Sequence, residues 1–364
     1  MPTPRPSHPY LSQIEPYAPP DLEDAAALAG LGVDELIRQF ANENPYGPSP
    51  RVVQALADFS QFHFYPDYRP LKETLARYAG VPSDQLVVGN GADEMVDLLI
   101  RLFAEPGEAI VTCPPTFSMY RFCAQVNRCQ VLTAPRQEVL QLDPGAIERV
   151  VHQSDGLAKL LFFASPGNPS GTAIPLSVVA RLLALPLLVV VDEAYIEFGG
   201  ESAVGLLPDN NNLVVLRTFS KWAGMAGLRL GYALLSAELA RPLERIRPPY
   251  NVNAAAMVAA LATLADIEAV QANVGRIVEE RERLRKALGA IHWLEPLPSQ
   301  ANFLLCRVRG RDARSVTDAL RRRGILVRHF SSSQMADAAA REYIRISVGR
   351  RRENAAVVDA LKQM

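Results

Sequence analysis

Lys221 closes the run Val214-Val215-Leu216-Arg217-Thr218-Phe219-Ser220-Lys221, directly after an apolar stretch and ahead of Gly227-Leu228-Arg229-Leu230-Gly231-Tyr232. A solvated lysine needs no such setting, whereas a Schiff-base lysine needs a confined one that lowers its pKa. A surface lysine is the plain alternative. Ser220 is discounted as a nucleophile, because no G-x-S-x-G turn surrounds it. A second run, Leu187-Leu188-Val189-Val190-Val191-Asp192-Glu193, delivers carboxylates at the C-terminal end of an apolar strand, where open α/β sheets bind ligands. The same pattern fits the magnesium-binding strand of nucleotide hydrolases. That reading requires a G-x-x-x-x-G-K-[ST] loop, which the chain lacks, so the carboxylate is expected to serve some other cation.

Two further runs end in turns. In Val87-Val88-Gly89-Asn90-Gly91-Ala92-Asp93-Glu94 a strand gives way to a helix, so free backbone N–H groups and the positive end of the helix dipole face one spot. An anion site and an ordinary strand-to-helix turn are both open, since Glu94 stands where a dinucleotide fingerprint has its third glycine. In Leu161-Phe162-Phe163-Ala164-Ser165-Pro166-Gly167-Asn168-Pro169-Ser170-Gly171 a Pro/Gly turn would suffice by itself. Order argues for more: an asparagine, an aspartate, a lysine and an arginine each follow an expected strand, and strand ends on one edge of a parallel sheet converge in space.

The elements that must position these residues are an alternation of short apolar runs and amphipathic stretches between about residues 46 and 240. Strands are expected at 85–88, 109–112, 159–163, 187–191, 213–217 and 230–234, with helices at 94–103 and 117–124, which implies crossover units and a mostly parallel sheet. The first forty or so residues are proline-rich and read as an extended arm. After Arg247-Pro248-Pro249, the Ala/Leu-rich span 254–288 reads as one long helix crossing between domains, and the remainder as a smaller α+β domain.

With 364 residues, 38 Lys+Arg against 39 Asp+Glu and 49% hydrophobic residues, the chain is long enough for two domains and has no charge excess that would favour nucleic acid or an anionic membrane. The Arg-rich stretch 307–323 is read as a solvated face. Four cysteines without C-x-x-C or Cys/His spacing suggest reduced thiols and a cytoplasmic setting, and the five dispersed histidines suggest no metal. No secretory address or spanning segment is expected, because prolines stand where a signal peptide needs its apolar core.

The Asn-Pro-x-Gly type turn at Asn168, Val191-Asp192-Glu193-Ala194-Tyr195 and Ser220-Lys221 followed by Gly227-Leu228-Arg229-Leu230-Gly231-Tyr232 together resemble the fold-type I, pyridoxal 5'-phosphate-dependent aminotransferases. Within them, Asn42-Glu43-Asn44-Pro45, Tyr65-Pro66-Asp67, Gly91-Ala92-Asp93-Glu94, Cys113-Pro114-Pro115-Thr116 and Tyr343 to Gly349 look like the histidinol-phosphate aminotransferase branch. The resemblance implies an N-terminal arm (1–45), a large cofactor domain (46–245), and an interdomain helix with a small C-terminal domain (246–364). It implies Lys221 as the Schiff-base lysine and proton shuttle, Asp192 as partner of the pyridinium nitrogen, and Asn168 and Tyr195 as hydrogen-bonding partners of the ring oxygen.

By the same resemblance the cofactor phosphate would sit on the backbone of Ala92 and Asp93 with Thr218, Ser220 and Arg229 around it, and Phe117 would stack on the ring. Phe117 lacks the hydroxyl that the family usually carries there, and Trp222 is bulkier than usual after the lysine, which could reshape the pocket wall. Tyr65 would reach the cofactor phosphate of a neighbouring subunit, implying a homodimer with shared sites. Tyr17 would close over substrate, and Arg345 would grip an α-carboxylate or, for histidinol phosphate, the phosphate. The implied reaction is ping-pong amino transfer between histidinol phosphate and 2-oxoglutarate/glutamate in histidine biosynthesis. An aromatic amino-acid aminotransferase and a threonine-phosphate decarboxylase share these motifs. A cofactor-binding regulator without turnover would need a fused helix-turn-helix, for which the arm is too short and proline-rich.

Overall fold

The computed structural model describes residues 8–14, 19–136, 140–330 and 342–364. It contains strands β1 (Ile37–Gln39), β2 (Leu86–Gly89), β3 (Ala109–Thr112), β4 (Gln130–Thr133), β5 (Ala158–Ala164), β6 (Leu188–Asp192), β7 (Leu213–Thr218), β8 (Gly231–Leu235), β9 (Leu294–Pro296), β10 (Phe303–Val308), β11 (Ile325–His329) and β12 (Tyr343–Ser347).

Apolar runs of four to seven residues bounded by turns form the interior of a seven-stranded sheet with the order β2-β8-β7-β6-β5-β3-β4. Strand β8 runs antiparallel to β2 and β7, and the other pairings are parallel. The chain is therefore α/β with a mostly parallel central sheet, as its alternation of elements predicts. Both faces are covered: Leu161 and Phe163 of β5 enter one apolar cluster, while Leu160 and Phe162 enter another on the opposite face. This period of two within an unbroken hydrophobic strand is what burial on both faces requires. Because β8 alone is reversed, the C-terminal ends of β2, β3, β5, β6 and β7 share an edge with the N-terminal end of β8.

A five-stranded sheet, β1-β11-β12-β10-β9, makes the second layer and buries Leu304, Cys306, Ile344 and Ile346 against Leu284, Leu288, Val357 and Leu361 of the covering helices. Two expectations change. The proline-rich beginning is not simply extended: it holds a helix at Leu22–Ala29, capped by Asp21, and then β1, which pairs in parallel with β11. The expected single helix over 254–288 is two helices, Ala254–Ala265 and Ile267–Gly289, meeting at 85°. The break falls at Asp266 (φ −125°, ψ 34°), whose N–H bonds to the Thr263 carbonyl. Just before it, the Thr263 hydroxyl bonds back to the Ala259 carbonyl, a contact that bends helices. Among the described residues no single helix is long and apolar enough to cross a membrane.

Candidate active site

The shared strand edge opens into a cleft, and the four motif runs meet there. Lining it are Ala92 and Asp93 after β2, Phe117 after β3, Asn168 after β5, Asp192 and Tyr195 from β6, Thr218, Ser220 and Lys221 from β7, and Arg229 before β8. The small sheet adds Arg345 from β12.

At one end is a cradle with donors. The helix Ala92–Phe103 starts at Gly91 with no side chain capping its first turn. Beside it the Arg229 guanidinium bonds to Asp93 (2.8 Å) and the Thr218 hydroxyl bonds to that of Ser220 (3.0 Å). The glycines are required by contact: Gly91 has φ +83°, and a Cβ there would lie 2.6 Å from Arg229 Nη2, while a Cβ on Gly231 would lie 2.3 Å from the Ala92 nitrogen. Uncapped N–H groups, two hydroxyls and a guanidinium suit a phosphate. Glu94, which breaks the dinucleotide pattern, accepts instead from the Asn90 N–H at 2.6 Å and from Asn251 at 2.6 Å.

Two ionisable groups in the cleft, Lys221 and Asp192, are displaced from their ordinary pKa values. Lys221 Nζ donates to the Ala41 carbonyl at 3.0 Å, and burial, assisted by the charge of Arg345, lowers its pKa to about 8. Burial raises Asp192 to about 6, opposed by hydrogen bonds from the Tyr120 hydroxyl (2.7 Å) and the Ala194 N–H (3.0 Å). A buried carboxylate held part-way to ionisation is suited to a cationic partner. The next residue, Glu193, is fully buried in an ion pair with Arg217 (3.0 Å) and also accepts from Ser202 and the Ala203 N–H, which fastens the ends of β6 and β7 together.

Arg345 donates to Asn168 Oδ1 (2.5 Å) and to the Phe40 carbonyl (2.6 Å), and lies over the Phe303 ring. Tyr65 does not line its own chain's cleft. It is 78% exposed and stacks on Tyr250 with ring centroids 4.2 Å apart. Tyr17 lies outside the described residues. Trp222, expected near the pocket wall, does not line the cleft: it is buried, stacked on Tyr78 at 5.7 Å and tilted against Phe219. Among the described residues no cluster of His, Cys, Asp and Glu is arranged to hold a metal ion.

Three residues that spacing did not single out belong to the site. Tyr120, one helical turn after Phe117, holds Asp192; a buried aromatic at that spacing reads as core, and its hydroxyl was the only signal. Arg328 lines the cleft from β11, opposite Arg345 in the strand register, and was hidden among the chain's many arginines. Asn42 also lines it and bonds to Tyr195. Tyr120→Phe removes a donor to a buried carboxylate and is expected to raise the Asp192 pKa further, by about one to two units. Infrared difference titration of the carboxyl in the cofactor-free protein checks this, and an unchanged midpoint would rule the bond out as a determinant.

The chain belongs to the aminotransferase class I and II family, whose sequence profile matches residues 37–361. It is 46% identical over 367 residues to the histidinol-phosphate aminotransferase of Roseiflexus castenholzii, covering 98% of this chain and 97% of that protein. It is 40% identical to the protein of the same name from Dehalococcoides mccartyi, covering 96% and 98% of the two chains. The crystal structure of histidinol-phosphate aminotransferase from Sinorhizobium meliloti in complex with pyridoxal-5'-phosphate superposes with a TM-score of 0.88 at 29% identity, over 98% of this chain and 97% of that one.

Proposed function

We propose that the protein is a pyridoxal phosphate-dependent transaminase that moves an amino group between histidinol phosphate and 2-oxoglutarate/glutamate. The observation that carries this reading is one cleft holding a lysine lowered to about 8, a buried carboxylate and a phosphate-type cradle. The donor set fits the cofactor: Ala92, Asp93, Thr218, Ser220 and Arg229 would hold its phosphate, Phe117 its ring face, Asn168 and Tyr195 its ring oxygen, and Asp192 its ring nitrogen. When bound, pyridoxal phosphate supplies a sink for the electron pair left on the substrate Cα. Lys221 takes and returns the proton at that carbon, and Asp192 keeps the ring nitrogen protonated. Names and near full-length coverage of the relatives support the substrate, as does the pairing of Arg328 with Arg345 on the small-sheet wall. Two guanidiniums there suit a substrate that ends in phosphate.

Tyr65, exposed and pre-stacked on Tyr250, would complete the cleft of a second copy in a homodimer, and Tyr17 would cover bound substrate. A cytoplasmic setting accords with reduced, buried cysteines. The test is the visible absorption of the purified protein titrated with L-histidinol phosphate without a keto acid. The yellow band is expected to convert at low substrate concentration. A band that ignores histidinol phosphate and converts with tyrosine or phenylalanine would move the substrate to the aromatic alternative. Arg328→Gln or Arg345→Gln is expected to raise the concentration needed by about 10–100-fold, the loss of one charge-assisted contact.

A further inference from the structure

Immediately after β1 the backbone enters the left-handed region at Asn42 (φ 56°), a conformation that asparagine tolerates better than most residues. Asn42 is 1% exposed, and each of its polar groups is engaged. Its N–H donates to Ser347 Oγ at 2.9 Å, and its carbonyl accepts from Asn302 Nδ2 at 2.9 Å. On the side chain, Oδ1 accepts from the Ser347 hydroxyl at 2.9 Å, and Nδ2 donates to the Tyr195 oxygen at 2.9 Å. Ser347 closes β12 two residues after Arg345, so both side chains project from the same face of the small sheet. That face also carries Phe303, whose ring meets Tyr195 edge-on at 5.2 Å.

We propose that Asn42 is a positioning residue for the reaction: its amide aims the Tyr195 hydroxyl proton into the cleft, and its bonds to Ser347 tie that aim to the strand carrying Arg345. The inference rests on the transaminase reading. An amide NH2 has donors only, and the phenol has a single proton, so a phenol oxygen that accepts from Asn42 must spend its O–H elsewhere. Ser347 fixes which end of the amide faces Tyr195, because its oxygen already accepts from the Asn42 N–H and its own hydrogen goes to Oδ1. A donor on the phenol oxygen also strengthens the phenol as a donor, since such chains polarise one another. Aspartate at position 42 reverses the direction. It keeps the shape and the Ser347 bond, but its carboxylate accepts the phenol proton, and Tyr195 then faces the cleft as an acceptor.

The experiment is a pH titration of the visible absorption of the protein loaded with pyridoxal phosphate, together with the cofactor's dissociation constant. A hydrogen bond to the ring oxygen favours its anionic form, so losing that bond makes the site hold its proton to higher pH. Asn42→Ala is expected to move the midpoint up by about one unit, and Asn42→Asp by at least as much. In a Tyr195→Phe background, the neutral change Asn42→Ala is expected to add nothing, which a merely structural role would not predict. The charged groups already sharing the cleft, Lys221, Asp192, Asp93, Arg229, Arg328 and Arg345, are unchanged in every variant, but Asn42→Asp adds a carboxylate whose own charge also raises the midpoint, so the neutral Asn42→Ala and Ser347→Ala carry the test. Ser347→Ala, which frees the amide to turn, gives a smaller shift of the same sign and serves if Asn42→Asp does not fold. Wild-type midpoints in Asn42→Ala and Ser347→Ala would overturn the proposal while leaving the transaminase reading intact. A wild-type protein that develops no visible band with pyridoxal phosphate would sink that reading itself.

Discussion

Lys221→Ala is expected to lower the rate of amino transfer by on the order of 10⁴-fold or more, because in the proposed reaction the same amine serves as both nucleophile and proton shuttle. The lost side chain makes one hydrogen bond, to the Ala41 carbonyl, so the fold is expected to survive. The lowered pKa gives the prediction a second arm. Burial and the nearby Arg345 charge disfavour the ammonium, so neutral amine accumulates as pH rises through about 8 instead of near an ordinary lysine's 10.5. Capture of pyridoxal phosphate by the cofactor-free protein should therefore accelerate between pH 7 and pH 9, as roughly the span around that midpoint. Stopped-flow absorbance measures it directly. The alanine variant should show no such step, and one that still transaminates at full rate would remove Lys221 from the chemistry.

The central sheet was legible because its strands are buried on both faces. Leu188–Asp192 and Leu213–Thr218 are unbroken apolar runs with chemistry at their C-terminal ends, and an alternation of such runs with helices leaves few arrangements. Two edge strands carried no such signal. Strand β4, Gln130–Thr133, has exposed ends, and β1 is three residues with two polar side chains. The 85° break at Asp266 was invisible to composition, since helix-forming sequence continues on both sides of it. In the site, residues following β-strands could be placed because parallel strands share an edge. Asn42, Asn302 and Ser347 could not, because the hydrogen bonds that join Asn42 to them and to Tyr195 span 153 to 305 positions and tie the two sheets together. Tyr120 was concealed by its own ring, which fills core space while its hydroxyl reaches Asp192.

Asp192→Asn is expected to lower transamination by on the order of 10³-fold and, above pH 6, to make the cofactor-free protein more stable. The first effect follows from charge: an amide cannot pair with a protonated ring nitrogen as a carboxylate does, so the proton is held less firmly where it is needed. The second follows from the raised pKa. The Asp192 carboxyl ionises at about 6 in the folded chain against 3.8 in a solvated one, chiefly because burial penalises the anion. A carboxyl raised in this way favours the folded state fully below the unfolded pKa, and that advantage is lost as pH rises through about 6. Two units correspond to up to about 3 kcal/mol, and the neutral amide avoids the penalty while keeping the Ala194 N–H as a partner. Thermal melting of cofactor-free wild type and variant should coincide near pH 4 and separate above pH 6 with the variant higher, at roughly the pH limits set by the two pKa values. Adding pyridoxal phosphate should reverse the order, because the ligand stabilises whichever protein binds it more tightly. A variant less stable at pH 8 without cofactor would mean that the Tyr120 and Ala194 bonds to the carboxylate outweigh its desolvation. The expected outcome instead places the cost of ionising Asp192 in the empty fold and its return in the cationic partner that the cleft is built to receive.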